Sequence, residues 1–145
     1  MTVQWEPYLS IMLHPVTPAD LVQLEHAWGV VLPEDYKALV TAYQGMAPVP
    51  DVFDVGQRSA NIFNVLLTIK PHEERESYSA LRVYDILKPH LPAGIFPFAK
   101  TPTGEFICFD YRARPQHPLI VFVTVEMFIH PIADSLTDLL QKLHD

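Results

Sequence analysis

With 145 residues, 49% of them hydrophobic and 19% charged, the chain has enough apolar material for one core, and a domain of this length buries roughly 70% of its unfolded surface. Ten Lys and Arg against seventeen Asp and Glu give a formal charge of −7. That balance excludes general phosphate-backbone binding, which depends on cationic side chains displacing counterions. A single cysteine excludes an intrachain disulfide, and no apolar run reaches the ~18–20 residues of a membrane-spanning helix.

The opening Met1 to Pro7 carries neither the basic nor the apolar region of a secretory leader, so a cytoplasmic protein without membrane contact is expected. The first helix is predicted over 18–28. Thr17 suits the N-cap, Pro18 the first helical position and Asp20 the N-terminal dipole, Leu21, Leu24 and Trp28 recur on one face, and Gly29 stops it. A second helix starts at Leu32-Pro33-Glu34-Asp35, carries the stripe Tyr36, Leu39, Val40 and Tyr43, and ends at Gly45.

Residues 45–60 hold two prolines and two acids among apolar side chains. They read as an irregular loop with at most a short edge strand. From Asn61 the period becomes two, and Phe63, Val65, Leu67 and Ile69 predict a strand with one buried face, ended by Pro71. The run from His72 to Glu76 is polar and reads as a solvated surface. Tyr78 to Lys88 is predicted helical on Leu81, Tyr84 and Leu87.

A hairpin follows, with arms 95–100 and 105–111 around Thr101-Pro102-Thr103-Gly104. Its second arm is apolar on both faces, which predicts a central or covered strand. After a polar turn over 112–118, Leu119 to Val125 is a strand. Beyond Pro131, Asp134 is the expected cap of a last helix carrying Leu136, Leu139, Leu140 and Leu143. Helices first, then strands, then a closing helix spell an α+β fold, here one domain spanning 1–145 with its core over about 17–143.

Signals for catalysis are sparse. The five glycines are scattered and form no phosphate loop. The seven histidines, at 14, 26, 72, 90, 117, 130 and 144, include no pair three or four apart as on a helical metal-ligand pair. Cys108 lies among aromatics and reads as a small buried hydrophobe. Glu34 and Asp35 sit where acids stabilise a helix start. Asp110 interrupts an apolar strand and leaves two readings open: a strand-end acid paired with Arg112 or Arg114, or an exposed interaction residue. No catalytic residue, metal ligand or cofactor is expected.

The segment from Leu24 to Leu39, with Glu25, Leu32-Pro33, the acids Glu34-Asp35, Tyr36 and Lys37, resembles the opening of the SMI1/KNR4 (SUKH) family. In the family that helix ends near Asn-Gly; here Gln44-Gly45 stands instead. Ile95 to Ala99 with Phe106 to Asp110 is similar to the family's central hairpin, and Ala133-Asp134-Ser135-Leu136 to its closing helix, whereas Val121-Phe122-Val123-Thr124 lacks the family's late aromatic-Asp signature.

The resemblance implies a bent, mainly antiparallel sheet flanked by two N-terminal helices, a middle helix and a C-terminal helix. It also implies an immunity protein that binds and neutralises a toxin, often a nuclease, or, in a fungal branch, a scaffold of cell-wall regulation. An acidic protein can occupy the electrostatic footprint of a basic nuclease site, so the expected partner is a basic toxin domain. Asp51, Phe53, Asp54, Asp110 and Tyr111 are the residues expected on the contact face. The competing readings are a regulatory scaffold or small-ligand module without a toxin partner, and a hydrolase assembled from distant His and Asp.

Overall fold

The computed structural model describes residues 3–9, 14–69 and 77–145. Helix α1 (Pro18–Trp28) begins with a reciprocal cap: the Asp20 N–H donates to Thr17 Oγ1 at 3.3 Å, and the Thr17 N–H donates to Asp20 Oδ2 at 2.8 Å. Gly29 ends it at φ +69, a left-handed turn that costs glycine nothing. Helix α2 (Glu34–Tyr43) follows after a short connector. Its end is tied by Gln44, whose amide donates to the His14 carbonyl at 2.7 Å and accepts from the Ile69 N–H at 3.1 Å.

Strand β1 (Gln4–Pro7) pairs antiparallel with β2 (Met46–Val49), and β3 (Val52–Val55) pairs with β4 (Arg58–Ile62). The region expected to be an irregular loop therefore holds β2, β3 and part of β4. Its prolines end or edge these two-stranded ribbons instead of abolishing them. The strand expected from Asn61 to Ile69 is likewise broken: β4 stops at Ile62 and β5 is only Val65–Leu66. Leu66 and Leu67 are both fully buried, so one buried face was the wrong reading; both sides are covered. Pro71 and the His72–Glu76 run lie outside the described residues.

Helix α3 (Ala80–Leu87) is capped by Ser79 and buries Ala80, Val83 and Leu87, leaving the expected anchors Leu81 and Tyr84 half-buried. The main sheet is a five-stranded antiparallel meander in the order β5, β6 (Ile95–Lys100), β7 (Phe106–Asp110), β8 (Leu119–Val123), β9 (Ile129–Ala133). As expected, β7 is central. Strand β9 has no counterpart among the expected elements, and it carries Pro131, a residue that cannot donate to a ladder. On an edge strand a missing N–H leaves no neighbour unpaired. Helix α4 (Leu136–Lys142) is capped by Ser135, one residue later than the expected Asp134, with the Asp138 N–H donating to Ser135 Oγ at 3.0 Å.

Side-chain alternation divides the sheet into two faces. Phe96, Phe98, Phe109 and Tyr111 share one face with Ile120 and Phe122. Trp28 of α1 stacks on Phe96 at 4.9 Å, Tyr36 of α2 meets Phe109 edge-on at 5.0 Å, and Phe98 stacks on Phe109 at 4.4 Å. The leucines of α4 complete this core. On the reverse face Ile95, Cys108, Val121 and Val123 form a smaller cluster. Among the described residues, four α-helices on a mainly antiparallel sheet make the fold α+β.

Candidate functional site

A groove of about 370 Å³ runs between the start of α2, the 112–118 loop and the start of α4. Leu32, Phe109, Ile120 and Leu136 form its apolar floor, and Glu34, Asp35 and Asp134 stand along it. A second hollow of about 570 Å³ adjoins it, bounded by Val22, His26, Tyr111 and Pro115. Val31 lines both.

The connector between α1 and α2 is held by several bonds. Glu25 Oε2 accepts from the Leu32 N–H at 2.8 Å and pairs with Lys37 Nζ at 3.2 Å, while the Glu25 carbonyl accepts from the N–H groups of Gly29 and Val30. Tyr111 donates its hydroxyl to the Val31 carbonyl at 2.8 Å. With Leu32 turned inward at 1% exposure, Val31 is turned outward at 65%. Burial, and the Glu25 carboxylate after it, push the Tyr111 hydroxyl pKa up, so the phenol stays protonated and keeps donating.

On the other walls, Arg114 ties the 112–118 loop to the end of β9. Its Nε donates to the His117 carbonyl at 2.7 Å and its Nη2 to the Asp134 carbonyl at 2.9 Å. Asp35 bridges α2 to α4, accepting from the Thr137 N–H and hydroxyl at 3.1 and 2.9 Å. Glu34 and Asp134 point outward, their side chains 90% and 83% exposed.

The five residues expected on the contact face do not form one surface. Asp51, Phe53 and Asp54 belong to the β3 hairpin, where Arg58 pairs with Glu105 at the start of β7. Asp110 closes the far end of β7, about 16 Å away along the strand. Phe53 is 1% exposed and faces inward, edge-on to Phe122 at 5.7 Å. Asp51 is half-buried. Asp54 is exposed and meets His144 Nε2 at 3.3 Å. The His144 pKa is raised by the Asp145 carbonyl and by Asp54.

Asp110 and Tyr111, though adjacent, point to opposite faces of the sheet. Tyr111 borders the second hollow. Asp110 is the strand-end acid of the first reading, gripped by Arg112 through Nε at 3.0 Å and Nη2 at 2.9 Å. Gly94 lets the arginine stem lie close, since a Cβ there would stand 3.3 Å from Arg112 Cγ.

Burial alone would raise the Asp110 pKa, but the hydrogen bonds and charge of Arg112 outweigh it and hold the carboxyl below its ordinary value. A depressed folded-state pKa contributes stability above the unfolded value, and that contribution is lost as pH falls through the folded one. Arg112→Met is therefore expected to move acid unfolding to higher pH, measured by circular dichroism across a pH series. Its cost near neutrality is about 1–2 kcal/mol, below the fully buried range because Arg112 is 44% exposed. An unmoved acid midpoint would show that this pair does not govern the transition.

Cys108 is fully buried, and burial followed by the Asp110 charge pushes its thiol pKa up, away from the reactive thiolate. Among the described residues no group of three or more His, Cys, Asp or Glu could hold a metal ion, and no helix is long and apolar enough to cross a membrane.

Val31 and the 112–118 loop line these hollows but are not among the residues expected on the contact face. The signal for Val31 was present: Val30-Val31-Leu32 in a connector too short to turn all three inward leaves the middle one out.

A meander sheet covered by helices on its aromatic face, with an open apolar groove between helix starts, defines a small α+β protein with a concave surface. The chain belongs to the SMI1/KNR4 family (SUKH-1), whose model matches residues 15–142. A comparison with curated proteins found no match.

Proposed function

We propose that this chain is a non-catalytic, cytoplasmic protein-binding domain of the immunity type, which docks on a cognate toxin with a basic surface, a nuclease domain above all, and neutralises it. The observation that carries the reading is the charge state of the groove. Glu34, Asp35 and Asp134 line it and no Lys or Arg among the described residues does; Glu34 and Asp134 stay 90% and 83% exposed although Lys37 lies 3.4 Å from the one and Arg114 3.9 Å from the other. Family membership and the charge of −7 support the same reading. Such a surface attracts basic partners and repels nucleic acid.

Titration calorimetry against the basic protein encoded beside this chain's gene tests the proposal. The expected result is a 1:1 complex that weakens steeply from about 50 to about 500 mM salt as exposed charges are screened. Absence of a complex, or affinity indifferent to salt, would refute it.

A further inference from the structure

We infer that the partner seats on Val31, and that what it inserts is a loop carrying an apolar side chain flanked by Lys or Arg. This inference rests on the protein-binding reading above and adds where, and by what chemistry, docking occurs. Val31 stands between the two hollows, and Val22, 50% exposed, lines the second. Exposed valines on a mobile loop would lose ordering entropy on binding. Here the backbone is already fixed by Glu25 and by the Tyr111 hydroxyl, so little remains to be ordered. The shape is therefore preformed, a ridge with a hollow on either side.

Charge selects the occupant. Glu34, Asp35 and Asp134 line the groove and no Lys or Arg among the described residues does; Asp35 is occupied by Thr137, while Glu34 and Asp134 remain mostly exposed beside Lys37 at 3.4 Å and Arg114 at 3.9 Å, cations that Glu25 and two backbone carbonyls also hold. A partner loop thus meets an apolar centre with an acidic border, the usual arrangement of a buried anchor within a polar rim. Among the other exposed apolar side chains, Val125 and Phe128 lie at the far end of β8. The hollow near that end is lined by Arg58 and His130 and by no carboxylate, so it lacks this complementarity.

The test uses the full chain and, as probe, the basic protein encoded beside its gene, inactivated at its own catalytic residue. Val31→Ala removes most of a buried valine's transfer energy and is expected to weaken binding about tenfold while leaving the thermal midpoint in place. Val22→Ala gives a second, independent readout on a helix surface. Glu34→Gln combined with Asp134→Asn is expected to flatten the salt dependence. Amide exchange in the complex should slow over 29–35 and 113–118. If the wild type forms no complex, the protein-binding reading itself falls. If the wild type binds and these variants bind equally well, or if Asp51→Asn with Asp54→Asn abolishes binding while Val31→Ala does not, the reading survives and this docking surface is overturned.

Discussion

Phe109→Ala is expected to cost about 3–5 kcal/mol, roughly a fifth or more of the stability usual for a domain of this size. Phe109 sits on the central strand, fully buried, with Phe98 stacked at 4.4 Å on one side and Tyr36 edge-on at 5.0 Å on another. Removing the ring deletes these contacts together and leaves a void that neither the sheet nor α2 can close without moving the other. Phe109→Leu keeps much of the volume and should cost only about 1–1.5 kcal/mol. Urea unfolding midpoints at constant slope measure both. An alanine variant within about 1 kcal/mol of the wild type would show that the core is not centred on this ring. Because Phe109 also floors the groove, the leucine variant is the one in which partner binding can be compared at intact fold.

Glu25→Ala has the second large effect, about 2 kcal/mol, or roughly 4–8 °C in thermal midpoint. The Leu32 side chain is 1% exposed, and its N–H loses its carboxylate acceptor in the alanine protein, which leaves a donor with poor access to water. Lys37 loses its closest anion at the same time. Glu25→Gln keeps an acceptor oxygen for the Leu32 N–H and should recover about half of the loss. The two variants also separate fold from function. The alanine protein should bind its partner less well than its stability alone accounts for, because Val31 is no longer pinned outward, whereas glutamine should restore most of the affinity. Equal midpoints for wild type and alanine would mean that the connector is held by something other than Glu25.

Local signals carried the helices well. Thr17, Pro18 and Gly29 act within a turn of where they stand, so chain order alone places them. The central hairpin was readable for the same reason, since its turn chemistry and its two apolar faces lie within one short stretch. What escaped depends on distant partners. Val52 forms strand structure because Ile62 and the backbone of His144 complete its ladder, and nothing near residue 52 announces either. Strand β9 was hidden by Pro131, whose missing donor matters only if a further strand is adjacent.

The proposed contact face is the least legible. An acidic residue in sequence does not disclose how its charge is met, and the structure buries Asp110 in the grip of Arg112 while Glu34 and Asp134, beside Lys37 and Arg114, remain 90% and 83% exposed. Apolar patterning equally could not distinguish Phe53, turned inward, from Val31, turned out. Family resemblance added the fold, because the matching positions Glu25, Leu32 and Tyr36 set how the first two helices pack.

The borders of the five-stranded meander have a consequence for how this protein can be recognised. At one margin β5 is two residues long; at the other, Pro131 interrupts the row of free amides. Neither margin offers a template on which a foreign strand could be added, so fibre-like growth between copies is discouraged even when the protein accumulates. For the docking proposed above, shape and charge of side chains are then the means of recognition, and among the described residues a ligand that extends this sheet meets only a two-residue strand or one broken by proline.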